Sequence, residues 1–399
     1  MRHRFHAMVK PAGSLCNLDC AYCYYLHKES LLSQPPTPRM SDDMLERHIR
    51  QYIEAQTDHE IVFSWQGGEP TLLGVEFFEK VVTLQARHKK PHQAIQNDLQ
   101  TNGTLLDDRW AQFLKRNHFL IGLSCDGPRD LHDEYRVNKG GRPTHSAVIA
   151  AARLLRKHGV GFNVLCVVNR RNATQPLDVY RFLSRELDAN RMQFIPGVEP
   201  RSFRQVAPQH WNRDALPIVG TPQAAPGAPD SIVADWSVDP ADWGTFLCSV
   251  WDDWYRRDYG KVFVDIFESA IAQSIGLPSQ RCVTAECCGK ALAIEHNGDV
   301  FSCDHYVYPE YRLGNIAATH WGEMAYGERQ NKFGTAKRDS LPRYCRECPH
   351  LNLCWGECPG NRFVRTPDGE PGLNYLCPGL KKFFAHIQRD IPEILRRLA

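Results

Sequence analysis

Cysteine is the residue type with the greatest chemical capacity in this chain, and there are fifteen of them. The run Cys16-Asn17-Leu18-Asp19-Cys20-Ala21-Tyr22-Cys23-Tyr24 spaces three thiols as C-x3-C-x2-C. Three thiolates so close can hold three irons of a [4Fe-4S] cube and leave the fourth without a protein ligand, which makes that corner a place for chemistry. A structural zinc is the competing reading: it wants four protein ligands, for which His27 could be offered as the fourth, but nothing else in the spacing favours tetrahedral zinc. A second set follows residue 280: Cys282, Cys287, Cys288, Cys303, Cys345, Cys348, Cys354, Cys358 and Cys377. With Cys287 read as a spare beside Cys288, eight thiols remain, enough for two fully ligated clusters or two all-thiolate zincs. A redox centre at the N-terminal loop makes redox-active partners the more sensible of the two. Cys125, Cys166 and Cys248 stand alone and read as small buried hydrophobes. The odd total excludes complete intramolecular disulfide pairing, and clustered thiols in a reducing cytosol read first as metal ligands.

The elements that must position these thiols follow an alternating pattern. From residue 7 to about 200, short β-rich runs alternate with helical patterns, as in βα units around a parallel sheet. The expected strands are His6 to Lys10, Ile61 to Gln66, Asn97 to Thr101, Leu120 to Ser124, Asn163 to Val168 and Met192 to Ile195. Apolar residues at helical spacing fill Gly74 to Arg87, Asp107 to Arg116, Ser146 to His158 and Pro176 to Leu187. Six such units are too few for a closed eight-strand barrel and suit an open, partial (β/α)6 barrel of the α/β class. Ligands of such folds sit at the C-terminal ends of the strands, where the polar motifs of this chain fall. The first domain is expected over 1–235, with 200–235 as a variable, Pro- and Ala-rich loop or linker. The second, over 236–399, opens with an aromatic helix from Trp243 to Tyr255. It continues with a hairpin, Ala291 to Glu295 and Val300 to Cys303, around the Asn297-Gly298 turn. One amphipathic helix from about Gly379 to Leu398 closes the chain.

Bulk properties narrow the partners. A chain of 399 residues, 42% hydrophobic, can bury one large core or two ordinary ones. Its net charge of +2 is spread without a basic stripe, so a protein or small-molecule substrate is expected in place of nucleic acid. No run approaches the ~18 apolar residues of a membrane span, and the start Met1-Arg2-His3-Arg4-Phe5-His6 lacks the apolar stretch of a signal peptide. The expected location is the cytoplasm.

With these residues in view, the sequence resembles the radical S-adenosylmethionine (SAM) superfamily, whose defining motif is the C-x3-C-x2-C loop with an aromatic after its last cysteine, here Tyr24. The resemblance implies that Cys16, Cys20 and Cys23 hold a [4Fe-4S] cluster. SAM would chelate its open iron and be cleaved by one electron to a 5′-deoxyadenosyl radical. Gly67-Gly68-Glu69-Pro70, after the second strand, resembles the GGEP motif that meets the SAM amino group, and the residue types agree: glycines admit a close backbone and a carboxylate accepts from an ammonium. The resemblance also implies that Ser124 and Arg136 contact the SAM carboxylate and ribose. Asn-Gly and Asp-Gly-Pro near them are equally ordinary turn chemistry, so capping competes with ligand contact at each position.

The run Cys345-x2-Cys348-x5-Cys354-x3-Cys358 with distant Cys377 resembles the SPASM extension of radical SAM maturases, which carries two auxiliary [4Fe-4S] clusters. By that resemblance Cys282, Cys288, Cys303 and Cys358 hold the first, and Cys345, Cys348, Cys354 and Cys377 the second. The segment Asn297 to Val307, with Tyr311 to Ile316, Val9-Lys10-Pro11, Trp65 to Leu72 and Leu373-Asn374-Tyr375, is similar to the anaerobic sulfatase-maturating enzymes. These oxidise an active-site cysteine or serine of a sulfatase polypeptide to Cα-formylglycine without oxygen, using three [4Fe-4S] clusters, SAM and an electron donor such as flavodoxin or ferredoxin. The resemblance makes Asp304 the base that removes the target's proton; a turn carboxylate bonded to backbone is its alternative. Gln66, Gln193 and Tyr24 are expected at the substrate cavity. Two other functions compete, a radical SAM maturase that forms a crosslink or thioether in a peptide, and a non-enzymatic metal-binding regulator.

Overall fold

The structure, a computed structural model, describes residues 4–201 and 206–398; positions 202–205 of the 200–235 loop and the first three residues lie outside it. The chain divides into two compact units. One comprises Met1–Ser124, Arg136–Asn163 and Gly289–Gly334, the other Cys125–Tyr135, Val164–Cys288 and Thr335–Ala399.

In the first unit, strands β1 (His6–Lys10), β2 (Glu60–Trp65), β3 (Ala94–Thr101) and β4 (Leu120–Ser124) run parallel in chain order, with Met8 opposite Ser64, Ser64 opposite Asp98 and Asp98 opposite Leu120. Val9, Ile61, Phe63, Trp65, Leu99, Ile121 and Leu123 are buried, and Ser64, Asp98, Gln100 and Ser124 alternate with them. Period-two alternation sends the first set to the helix-covered face and the polar set to the other. The covering helices start where the chain supplies acceptors. Ser41 caps Asp42–Ala55 through the Met44 amide, and Asp107 caps Asp108–Arg116 through the Trp110 amide, each satisfying an orphan donor. Helix Val75–His88 brings Phe77 and Phe78 edge-on to Trp65.

The hairpin expected in the second domain forms, but it extends this same sheet. After β5 (Phe162–Val168), β6 (Arg191–Pro196) and β7 (Phe263–Val264) come β8 (Ala291–Glu295), β9 (Asp299–Phe301) and β10 (Arg312–Asn315). Strand β8 pairs parallel with β1 from His6 opposite Ala291 to Lys10 opposite Glu295, and antiparallel with β9 around Gly298, whose φ is +86°. The physical reason is that Leu292, Ala293 and Ile294 are all fully buried. An apolar run without alternation belongs to a strand covered on both faces.

In the second unit, β5 and β6 pair parallel from Val164 opposite Met192, and β6 pairs parallel on its other side with the two-residue β7, Arg191 opposite Phe263, a strand that carried no sequence signal. The aromatic helix spans Pro240–Arg257, with Asp239 accepting from two first-turn amides and Pro240 at its start. It packs on helix Cys377–Ile387 at a double-glycine contact. A Cβ on Gly379 would stand 2.0 Å from the Pro240 carbonyl oxygen, so only glycine lets the backbones meet. The single closing helix is corrected to two, Cys377–Ile387 and Ile391–Leu398. Pro392 has no N–H, and its ring would crowd the carbonyl four residues back. The described part of 200–235 is a packed segment, not a free linker: Trp211 lies against Phe363, and Val219 N–H donates to the Arg365 carbonyl at 2.9 Å. Short strands β11 (Val364–Arg365) and β12 (Pro371–Leu373) complete this unit.

Candidate active site

The three-cysteine loop leaves β1 through Pro11 and a turn at Gly13, and the GGEP motif is stitched to that turn. Gly68 N–H donates to the Gly13 carbonyl at 2.9 Å, and Glu69 N–H to the Leu15 carbonyl at 2.8 Å. A Cβ on Gly68 would sit 2.0 Å from the Leu15 oxygen. The glycine pair therefore brings backbone close to the cysteine loop itself, a positioning task that the sequence reading had given only to a ligand. Cys16, Cys20 and Cys23 are all half-buried, and Cys23 packs on a small core of Tyr25, Ala293, Phe301 and Val307. Burial raises the Cys16 thiol to about 12, against the pull of the Leu18 amide at 3.4 Å and helped by the negative charges of Glu69, Cys20 and Cys23. Thiols crowded in this way carry thiolate charge only when a cation shares it, as iron does. Among the described residues no three His, Cys, Asp or Glu side chains converge as a single-ion site. A cube places each thiolate on a different iron, so its ligands need not converge on one point.

Glu69 is 1% exposed, and its oxygens are unequally used. Oε1 accepts from the Thr71 amide (3.0 Å), the Thr71 hydroxyl (2.6 Å) and the Thr101 hydroxyl (2.8 Å), whereas Oε2 accepts only the Asn102 amide at 2.8 Å. Burial still pushes the carboxyl up. Asn102, of the Asn-Gly pair just after β3 that also reads as turn chemistry, reaches the cysteine loop, with Nδ2 2.9 Å from Asn17 Oδ1 and 3.9 Å from Cys16 Sγ. Ser124 accepts from Gln100 Nε2 at 2.9 Å, and buried Arg136 donates through Nη1 to Tyr22 at 2.9 Å, inside the loop.

Asp304 is brought to the same loop from 280 residues away. Its Oδ2 accepts from the Tyr24 hydroxyl at 2.5 Å, and its Oδ1 pairs with Lys10 Nζ at 2.5 Å. Burial would raise this carboxyl, but Lys10, the His305 ring and the bonds from Lys10 and Tyr24 together hold it below the usual carboxylate range. Lys10 is 1% exposed and also lies over the Tyr25 ring, 4.6 Å from its centroid. Tyr25 in turn bonds Glu295, which accepts from Gln34 Nε2 at 2.9 Å. Sequence reasoning missed Lys10 as a participant; the available signal was a lysine ending an otherwise apolar strand. Gln66 is half-buried just beyond β2, its amide donating to the Val9 carbonyl. Gln193 lies within β6, opposite Leu165.

In the second unit, Cys345, Cys348, Cys354 and Cys377 line a single pocket whose wall includes Leu380 and Phe384. Burial leads the rise of Cys345 to about 11 and of Cys354 to about 12, and neighbouring thiols add to both. Cys282, Cys288 and Cys358 form a second group: burial and the charge of Cys358 raise both Cys282 and Cys288. Cys303, directly before Asp304, belongs to the first unit. Cys287 stands apart in chemistry, its thiol raised chiefly by burial with no ligand cysteine among the causes.

Comparison with known proteins gives this geometry its context. Residues 11–183 match the radical SAM superfamily, and residues 282–349 match an iron-sulfur cluster-binding domain named SPASM. A serine-type anaerobic sulfatase-maturating enzyme of Bacteroides thetaiotaomicron is 46% identical over 96% of this chain and 89% of its own length. A cysteine-type enzyme of Clostridium perfringens is 33% identical over 95% of each chain. The solved structure of native anSMEcpe with bound AdoMet and Cp18Cys peptide superposes with a TM-score of 0.83 at 32% identity, covering 99% of both chains. Near full-length identity at this level, on a fold whose motifs meet as described, means that the chain belongs to the anaerobic sulfatase-maturating enzymes of the radical SAM superfamily.

Proposed function

We propose that this chain oxidises a serine or cysteine in the active-site motif of a sulfatase to Cα-formylglycine without oxygen, using SAM and three [4Fe-4S] clusters. One contact carries the reading most: Asp304 is bonded to Tyr24, the neighbour of Cys23, and is fixed from behind by buried Lys10. Cys16, Cys20 and Cys23 hold the cluster with an open iron. Around it Gly67, Gly68, Glu69, Tyr24, Ser124 and Arg136 receive SAM. Glu69 Oε2, with one internal donor against three on Oε1, is the oxygen left for an ammonium. The Arg136 guanidinium suits a carboxylate as a charged fork. Bound there, cluster and SAM supply a carbon radical able to take a hydrogen atom from the target's Cβ.

The chain's own part is the proton. Asp304 is ionised, and with two of its roughly four acceptor sites on Lys10 and Tyr24 it keeps sites for a thiol or hydroxyl proton. Gln66 and Gln193 are the side chains assigned to the target residue. Cys282, Cys288, Cys303 and Cys358 would hold a first auxiliary cluster and Cys345, Cys348, Cys354 and Cys377 a second, and such clusters would supply an acceptor for the remaining electron. Full ligation suits them to electron transfer and closes them to substrate. In functional terms 1–235 is the radical SAM part, with 200–235 as its variable segment, and 236–399 the SPASM part. The chain works in the cytoplasm with a flavodoxin- or ferredoxin-like donor. The test is anaerobic reconstitution, then incubation with SAM, a reductant and peptides bearing Ser-x-Pro-x-Arg or Cys-x-Pro-x-Arg. The expected product is an aldehyde at the first motif position of at least the serine peptide. A crosslink or thioether, or SAM cleavage with both peptides unchanged, overturns the reading.

A further inference from the structure

The second unit holds two buried cations that the reaction outlined above does not use. Lys337 is 1% exposed, and its ammonium is enclosed by three carbonyl oxygens, those of Cys282 (2.7 Å), Val283 (2.8 Å) and Ala285. An amine satisfies three acceptors only by using three N–H bonds, so the geometry is that of a charged ammonium. Arg362, 7% exposed, donates to the carbonyls of Gly356 (3.1 Å), Trp355 (2.9 Å) and Lys337 (2.7 Å). The three residues between Cys354 and Cys358 all have positive φ: Trp355 at +47°, Gly356 at +65° and Glu357 at +49°. Left-handed backbone is costly for Trp and Glu, and persists only where surroundings enforce it. Gly356 suits its positive φ, and a Cβ there would stand 2.4 Å from Leu341 and 2.7 Å from the Arg362 guanidinium, so both side chains would have to shift. Asn374 closes the other side, with Nδ2 2.7 Å from Glu357 Oε2.

We infer that Lys337 and Arg362 are a cationic brace for the first auxiliary cluster: Lys337 fixes the Cys282 end, Arg362 fixes the left-handed turn before Cys358, and their charge raises that cluster's reduction potential. This deepens the proposed function and rests on its assignment of Cys282, Cys288 and Cys358 to one cluster. Buried lysine is rarely kept without a charge to face, and the negative groups about Lys337 are Cys288, Cys358 and Glu357, with the Arg362 cation opposing them. An iron-sulfur cluster gains negative charge on reduction, so a fixed cation nearby favours the reduced form. That is the property an electron acceptor needs. Both residues are positioning residues, because they act through backbone and charge and touch no reacting atom.

The test is a redox titration of the reconstituted full-length enzyme, monitored by electron paramagnetic resonance, with iron counted per chain in the same samples. In Lys337→Met the first auxiliary cluster is expected to shift to lower potential, so that its reduced-to-oxidised ratio at fixed potential falls about tenfold, equivalent to ~59 mV for one electron. Lys337→Arg keeps the cation and is expected to stay near the parent value, as are the other two clusters in both variants. Loss of about four irons in Lys337→Met but not in Lys337→Arg also supports the brace. An unshifted potential in Lys337→Met, or equal shifts in the two variants, overturns it. If the parent enzyme itself binds only about eight irons, the cluster assignment fails, and the brace with it.

Discussion

Asp304, the base of the proposed reaction, and Lys10 each depend on the other. Their carboxylate and ammonium are both almost completely buried, so removing one partner leaves an uncompensated charge at a cost of ~3–5 kcal/mol. Asp304→Asn keeps the shape and abolishes the base. Formylglycine formation is expected to fall about 10²–10⁴-fold while SAM cleavage and cluster content persist. Full product formation by that variant would remove Asp304 from the mechanism. The same substitution should lower thermal stability, and Lys10→Met combined with it should recover part of the loss, because a matched apolar pair no longer buries a lone charge. Additive losses in a double-mutant cycle would show the pair is not coupled. The pH dependence follows from the direction of the Asp304 shift. A carboxyl held below its unfolded value contributes stability that is present above the unfolded pKa and disappears as pH falls through the folded one. Asp304→Asn should therefore lose less stability on acidification than the parent does.

Elements decide how the cysteine loop keeps its form, and here the sequence was only partly legible. The cysteine spacing and the six strands β1 to β6 could be read, because the ligand demand of a cluster and the residue pattern of a strand are both local signals. Three features were not local. The pairing of β8 with β1 joins residues almost 300 positions apart, β7 has two residues, and Pro392 breaks what amphipathic spacing alone reads as one helix. Lys337 was hidden for a related reason. Its helix, Glu328–Asp339, is so polar that it reads as a solvated face, yet one lysine turns inward to three carbonyls. The GGEP glycines were found for a ligand contact but also carry a backbone contact, which gives a test. Gly68→Ala places a methyl 2.0 Å from the Leu15 oxygen, and backbone cannot yield as a side-chain tip can. The expected result is loss of about four irons of about twelve, with the C-terminal clusters kept. Full iron content in that variant would mean the loop tolerates displacement, and the stitching argument would fall.

At the scale of the whole molecule, two groups of thiols lie in the second unit and one cysteine loop lies in the first. Burial is the first cause that raises the Cys16, Cys288, Cys354 and Cys358 thiols, so iron binding at these proposed ligands would release protons. An apolar pocket around Cys345, Cys348, Cys354 and Cys377 shields one such site from solvent, which favours a low, stable potential. The proposed function requires that a radical formed from SAM at the Cys16, Cys20 and Cys23 loop take a hydrogen atom from the target's Cβ. The most direct measurement uses a serine motif peptide deuterated at that Cβ, incubated anaerobically with SAM, reductant and the reconstituted enzyme. The account predicts that deuterium appears in 5′-deoxyadenosine, in step with aldehyde formed on the peptide. Aldehyde formed with no deuterium in 5′-deoxyadenosine would contradict it.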